Sequence, residues 1–433
     1  MPGSFRDLPS VDEVLGSLGR LAASYPRGLI VSEVRRAIER ARTEIRAGRE
    51  PGDIQRSAEA ALAELAAPSL RRVINATGVV LHTNLGRAPL RGSKGGGGYS
   101  NLEYDVATGR RGKRDVHVGG LLERLLGAPA IAVNNNAAAV YLALRELASG
   151  GEAIVSRGEL IEIGDGFRIP DIMRESGAVL REVGTTNRTS IEDYRAAVTD
   201  RTRVILRVHP SNFRIAGFTS KPELRELVAL GRESGVPVYE DLGSGCITDL
   251  RPFGIQEPLV GESLEAGVDL VSFSGDKLMG GPQAGILAGK PEIVARLRRN
   301  PMYRALRLDK LILHALETAL RNTLLEQWNE VPALAMIRQS SEEIRERADR
   351  VAAAVPGAEI VPGESVIGGG STPEQTLPTW LVALAGDVVK REAALRRNDP
   401  PVIARIADER LLLDLRTVFP EEEAALVEAL NRG

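Results

Sequence analysis

The sequence predicts an α/β protein in which helices cover both faces of a mostly parallel sheet. A helical domain precedes this sheet and a smaller α+β domain follows it. Three observations predict this. From about Val73 to Asn300, short β-rich runs alternate with helical stretches, as in a parallel sheet with crossover helices. Before about Leu70, apolar residues recur only at helical spacing. The length, 433 residues, has room for two or three domains at about 150 residues each.

In chain order, residues 1–70 read as three helices. Val11 to Ala22 is amphipathic. Ile30 to Arg49 carries Val31, Val34, Ala37, Ile38, Ala41 and Ile45 on one face, and Ile54 to Leu65 follows. Pro26-Arg27-Gly28 and Glu50-Pro51-Gly52 break them apart. The second helix presents Arg35, Arg36, Arg40, Arg42, Arg46 and Arg49 among Glu33, Glu39 and Glu44. That face reads either as solvated and ion-paired or as a phosphate-contacting surface for RNA.

Residues 71–300 read as the large α/β domain. Its strands are Ala130 to Val133, Glu152 to Val155, Ala178 to Val183, Thr202 to Val208, Val236 to Asp241, Leu270 to Phe273 and Ala284 to Ala288. Helices fall between them at Ala137 to Leu147, Ile169 to Ser176, Ile191 to Val198 and Lys221 to Ser234. Residues 301–433 open with the helical pattern Leu311 to Asn322. They end in mixed elements that include strands at Trp380 to Ala385 and Arg410 to Leu415. The tract Arg91 to Gly98 is glycine-rich and reads as a linker.

Composition narrows the function. A net charge of −2 argues against a wholly basic nucleic-acid binder while leaving room for local patches. The single cysteine, Cys246, excludes an internal disulfide and fits a reducing cytoplasm. No apolar run is long enough to cross a bilayer, and no signal-type segment is expected. His82, His117, His209 and His314 lack metal-ligand spacing, so no metal site is expected.

The chemistry concentrates around Ser274-Gly275-Asp276-Lys277-Leu278-Met279-Gly280-Gly281. One lysine follows a strand and precedes glycines, so its amine is rigidly held yet reachable by a planar ligand. That suits capture of an aldehyde cofactor; an ordinary loop lysine is the plainer reading. Asp241 closes an upstream strand, where an acid would pair with a pyridinium nitrogen, unless it is a turn aspartate. Asn134-Asn135-Asn136-Ala137 sits at a strand-to-helix junction. There backbone amides would hold a phosphate, or the asparagines simply cap the helix. Together the three features point to pyridoxal phosphate.

Longer stretches make the chain recognisable. Val73 to Gly78, Leu81 to Arg87, Leu102 to Asp105, Val133 to Ala139, Val155 to Leu160, Glu182 to Thr189, Asp241 to Gly245, the Lys277 segment and Arg304 to Lys310 run in order through nearly the whole sequence. With these the chain resembles the bacterial selenocysteine synthases, the L-seryl-tRNA(Sec) selenium transferases. The resemblance implies a fold-type I pyridoxal phosphate enzyme with Lys277 as the cofactor lysine. It implies β-elimination on seryl-tRNA(Sec) to an aminoacrylyl-tRNA, then addition of selenium from selenophosphate. Arg87, Arg304 and Arg307 match the arginines assigned to that anion; bidentate guanidinium groups suit it, and Arg304 and Arg307 share a face if helical. Asp276 matches a position tied to activity. The resemblance also implies tRNA binding by the N-terminal domain, making Arg35, Arg36, Arg40, Arg42 and Arg46 its candidates, and assembly of dimers into a decameric ring. One departure stands out: between Leu90 and Tyr99 the family usually carries a longer, helix-forming connection. Two rival readings are a lyase acting on a small amino acid or amino sugar, and a catalytically silent RNA-binding protein. The N-terminal helices count against the first, Lys277 with Asp241 against the second.

Overall fold

The computed structural model describes residues 5–92, 98–163, 166–210, 213 and 215–432. Residues 93–97 of the glycine tract therefore lie outside the described residues. The chain divides into two compact units, Met1–Arg72 and Val73–Gly433.

In the first unit, Ser10 caps the helix Val11–Ser17 through a reciprocal pair of bonds with Glu13. This helix is shorter than its periodicity predicts. Gly16 and Gly19 weaken the continuation, and the chain passes into a 3₁₀ segment, Gly19–Ala23. The long helix Arg27–Arg46 starts directly after Pro26, and Ile54–Ala66 is capped by Asp53. Val14, Leu18, Ile30, Val34, Ala37, Ile38, Ala58 and Leu62 form their shared core. The five candidate arginines all lie on the exposed side of the long helix. Arg36 pairs with Glu33 at 2.7 Å, Arg42 and Arg46 with Glu39 at 3.2 and 3.5 Å, and Arg40 donates to Ser57 at 3.3 Å.

The second unit is built on a seven-stranded sheet. Across the sheet the strands run Ala130–Val133, Gly285–Gly289, Leu270–Ser274, Val238–Gly243, Thr202–Val208, Glu152–Ser156, Val179–Val183. All neighbours are parallel except Gly285–Gly289, which is antiparallel to both of its neighbours. Apart from the largely exposed edge strand Val179–Val183, the strands are buried on both faces, which is why they read as apolar runs rather than alternating ones. Side chains still alternate between two cores. Ile154, Ile205, Val238, Val271 and Phe273 enter one; Val155, Val204, Leu206, Tyr239 and Leu270 enter the other, against the helix Asn136–Ala148. The expected mostly parallel sheet between helices is the observed one.

A four-stranded antiparallel sheet follows, in the order Ala358–Val366, Thr376–Leu384, Arg410–Asp414, Arg405–Ala407, with its own core around Ile74, Val382, Leu411 and Leu413. Ile74 belongs there because Ile74–Asn75 pairs in parallel with Val402–Ile403. Arg416 is buried beside this sheet. Its guanidinium donates to Ser365 Oγ at 2.9 Å and to the carbonyls of Met336, Gln339 and Pro378 at 2.9, 2.8 and 2.7 Å.

Candidate active site

Two strand ends make the floor of the site. In the register Asp241 lies opposite Ser272, and Lys277 follows that second strand by one turn. The turn closes on itself, since Gly275 N–H donates to Ala284 O at 2.8 Å and Gly280 N–H to Lys277 O at 2.9 Å. It is also tied to the Asp241 segment, because Leu278 N–H donates to Ser244 O at 3.1 Å. Gly245, at φ 69°, allows this approach: a Cβ there would stand 2.3 Å from Ser274 O.

Lys277 is 6% exposed, and its Nζ donates to the carbonyl of Gly370 at 3.0 Å. Burial lowers its pKa below the usual lysine range, and the nearby Arg87 guanidinium lowers it further. The carboxylates of Asp241, Asp276 and Glu257 oppose both effects. A larger fraction of neutral amine results, which is the nucleophilic form. Asp276 accepts from Arg87 at 2.8 Å, and its carbonyl receives Ala88 N–H at 3.1 Å, so the arginine is anchored beside the lysine turn.

Asp241 is 4% exposed. Its Oδ1 accepts from Asn136 Nδ2 at 2.8 Å and from Ser272 Oγ at 3.1 Å. Burial raises its pKa, while those two hydrogen bonds and the Lys277 charge pull it down. The asparagine turn thus divides its work. Asn135 caps the helix by accepting from Ala138 N–H at 2.8 Å, and Asn136 reaches across to Asp241. Asn135 Oδ1 and Asn136 Nδ2 are thus committed to protein, and the helix N-terminus, with the backbone amides of Asn136 and Ala137 in its first turn, is a further feature suited to a phosphate.

Arg304 and Arg307 would share a face only within one helix, and that condition is not met. The helix Pro301–Leu306 ends before Arg307, which is extended, so the two do not share one helical face. The chain turns there because Val133 bridges to Arg307 and Asn134 N–H donates to Leu306 O at 2.9 Å. Both arginines line a cleft of about 420 Å³ with Arg111, Lys113, Arg298 and Arg299. Arg307 stands 3.7 Å from Glu103, and Asp309 caps the next helix rather than pairing with either arginine.

Sequence reasoning missed three groups. The Gly370 carbonyl is brought to Lys277 from 93 residues downstream; the triplet Gly368-Gly369-Gly370, all at positive φ, was its only signal. Glu257 is buried near Lys277 with Oε1 unpartnered, and burial raises its pKa. Tyr239 donates or accepts at Ser272 Oγ over 2.7 Å. Among the described residues no cluster of ligating side chains fits a metal, and no helix is long and apolar enough to cross a membrane.

A family model described as L-seryl-tRNA selenium transferase matches residues 73–419, and one described as selenocysteine synthase N terminal matches residues 5–42. The chain is 49% identical to the L-seryl-tRNA(Sec) selenium transferase of Geobacter sulfurreducens, covering 99% of this chain and 98% of that protein. It is 42% identical to the Aquifex aeolicus protein of the same name, covering 100% of this chain and 99% of that one. Among solved structures it is similar to a D-glucosaminate-6-phosphate ammonia-lyase, with a TM-score of 0.57 at 18% identity over 86% of this chain and 97% of that one. That likeness concerns the fold.

Proposed function

The chain belongs to the L-seryl-tRNA selenium transferase family, and from that membership we propose that it converts L-seryl-tRNA(Sec) to L-selenocysteinyl-tRNA(Sec) with selenophosphate as selenium donor. The observation that carries the proposal within the molecule is a buried lysine of lowered pKa set beside a buried carboxylate at adjacent strand ends.

This donor set fits pyridoxal phosphate: Lys277 would hold its aldehyde carbon, Asp241 its ring nitrogen, and the amides of Asn136 and Ala137 its phosphate. When bound, the cofactor supplies a sink for the electrons of the seryl Cα–H bond. Lys277 Nζ, once free, takes the α-proton, with the Gly370 carbonyl holding the amine in direction. Asp276 holds Arg87 at the edge of the site, where its guanidinium meets an oxyanion. Arg304 and Arg307 are the further cations proposed for selenophosphate. The seryl hydroxyl leaves as water, selenium bonds to the β-carbon, its bond to phosphorus is broken by water to release phosphate, and a proton returns to the α-carbon.

The N-terminal unit is the proposed tRNA contact, through Arg35, Arg36, Arg40, Arg42 and Arg46. The family match over residues 5–42 supports this and disfavours a lyase of small amino acids or amino sugars. A decameric ring of dimers in the cytoplasm completes the reading. Incubation with seryl-tRNA(Sec), pyridoxal phosphate and selenophosphate, followed by identification of the esterified amino acid, tests it. Selenocysteine is the expected product; unchanged serine would refute the assignment.

A further inference from the structure

Asp241 is the end of a buried chain of hydrogen bonds. Tyr239, Asp241 and Ser272 point to the same face of the sheet, two residues apart on one strand and opposite on the next. Tyr239 is completely buried, and its hydroxyl lies 2.7 Å from Ser272 Oγ. Ser272 has one proton and gives it to Asp241 Oδ1 at 3.1 Å, so the bond from Tyr239 runs toward Ser272. From the helix side Asn136 Nδ2 donates to the same oxygen at 2.8 Å. Every donor in the chain is oriented toward the carboxylate, and the two that reach it, from Ser272 and Asn136, both end on Oδ1.

We propose that Tyr239 and Ser272 are positioning residues: their relay, with Asn136, keeps Asp241 ionised and turns Oδ2 toward the ring nitrogen of the cofactor. This rests on the pyridoxal phosphate reading of the site. The physical need is clear, because a carboxylate this deeply buried gains its charge only if hydrogen bonds replace lost water. Donors aligned in series polarise one another, so the far hydroxyl of Tyr239 acts through Ser272 without touching the cofactor. Tyr239 keeps its proton throughout, since burial and the Asp241 charge hold its pKa well above the usual range.

The test uses full-length protein loaded with pyridoxal phosphate labelled at the ring nitrogen. Nuclear magnetic resonance then follows protonation of that nitrogen against pH, beside a pH titration of the visible absorbance. In Ser272→Ala the midpoint for ring-nitrogen protonation is expected to fall by about one unit, a tenfold change in that equilibrium. Tyr239→Phe, which removes one oxygen, shifts it in the same direction by less, and Ser272→Thr restores it. A mere packing role would not move a protonation midpoint or be rescued by the hydroxyl of threonine. Should Ser272→Ala fail to fold, Tyr239→Phe alone decides. Midpoints equal to wild type overturn the relay. A wild type with no visible absorbance removable by Lys277→Ala overturns instead the cofactor reading beneath it.

Discussion

Replacing Arg416 by methionine tests how the four-stranded sheet is held. Methionine keeps most of the apolar stem but none of the donors. Four hydrogen bonds vanish, three of them to carbonyls of Met336, Gln339 and Pro378. Asp414, itself fully buried, keeps Ser365 Oγ at 2.7 Å and Thr379 Oγ1 at 3.0 Å but loses the adjacent cation. Removing one member of such a buried charge arrangement costs about 3–5 kcal/mol. An unfolding entropy of ~2.1 cal/mol/K per residue over the unit Val73–Gly433 is about 0.75 kcal/mol/K, so Tm should fall by about 4–7 °C. Calorimetry measures this. Adding Asp414→Asn to Arg416→Met should recover part of the loss, because the uncompensated charge disappears. Arg416→Lys should rescue little, since one ammonium cannot reach four acceptors spread around a planar fork. A Tm within one degree of wild type, or full rescue by lysine, would refute the charge-network account.

Other expectations concern the site and the units. Lys277→Met should raise stability at neutral pH. The folded-state pKa of Lys277 is lowered, so between that value and 10.5 the unfolded chain binds more protons and wild-type stability climbs with pH. The advantage of the variant should therefore shrink as pH rises toward 10.5, and a gap constant with pH would contradict the sign. Gly245→Ala places a methyl 2.3 Å from Ser274 O at positive φ, so it should cost at least about 1–2 kcal/mol and weaken cofactor retention, read by visible absorbance after dialysis. Deleting residues 1–72 should leave the lysine chromophore intact while abolishing seryl-tRNA binding in a gel-shift assay; retained binding would move the RNA surface elsewhere. Arg304→Ala and Arg307→Ala should permit loss of the seryl hydroxyl but slow selenium entry at least tenfold, whereas a block at the first step would make them structural.

The inner strands of the large sheet were legible because burial on both faces writes them as short apolar runs between glycine-rich breaks; the exposed edge strand Val179–Val183 shows only through its β-branched residues. Lys277, Asp241 and the asparagine turn were legible for a related reason: each sits where such a run ends. The use of each asparagine was not, since Asn136 meets Asp241 across 105 positions of sequence. Gly370 and Glu257 reach the lysine from loops whose path depends on tertiary packing. The spacing of Arg304 and Arg307 puts them on one face only if both are helical, and the sequence does not show that a backbone bridge to Val133 accompanies an extended Arg307.

The pairing of Ile74–Asn75 with Val402–Ile403 has a consequence for biosynthesis. The first strand of the second unit waits for a partner made more than three hundred residues later. The acceptor for Lys277 emerges 93 residues after the lysine itself, roughly 5–20 s at ribosomal speeds of about 5–20 residues per second. The N-terminal helices, whose contacts are local, are free to fold long before. The nascent chain should thus carry a finished helical unit while the Lys277 amine still lacks its acceptor, and synthesis of the Gly370 loop, rather than of Lys277, completes the candidate site.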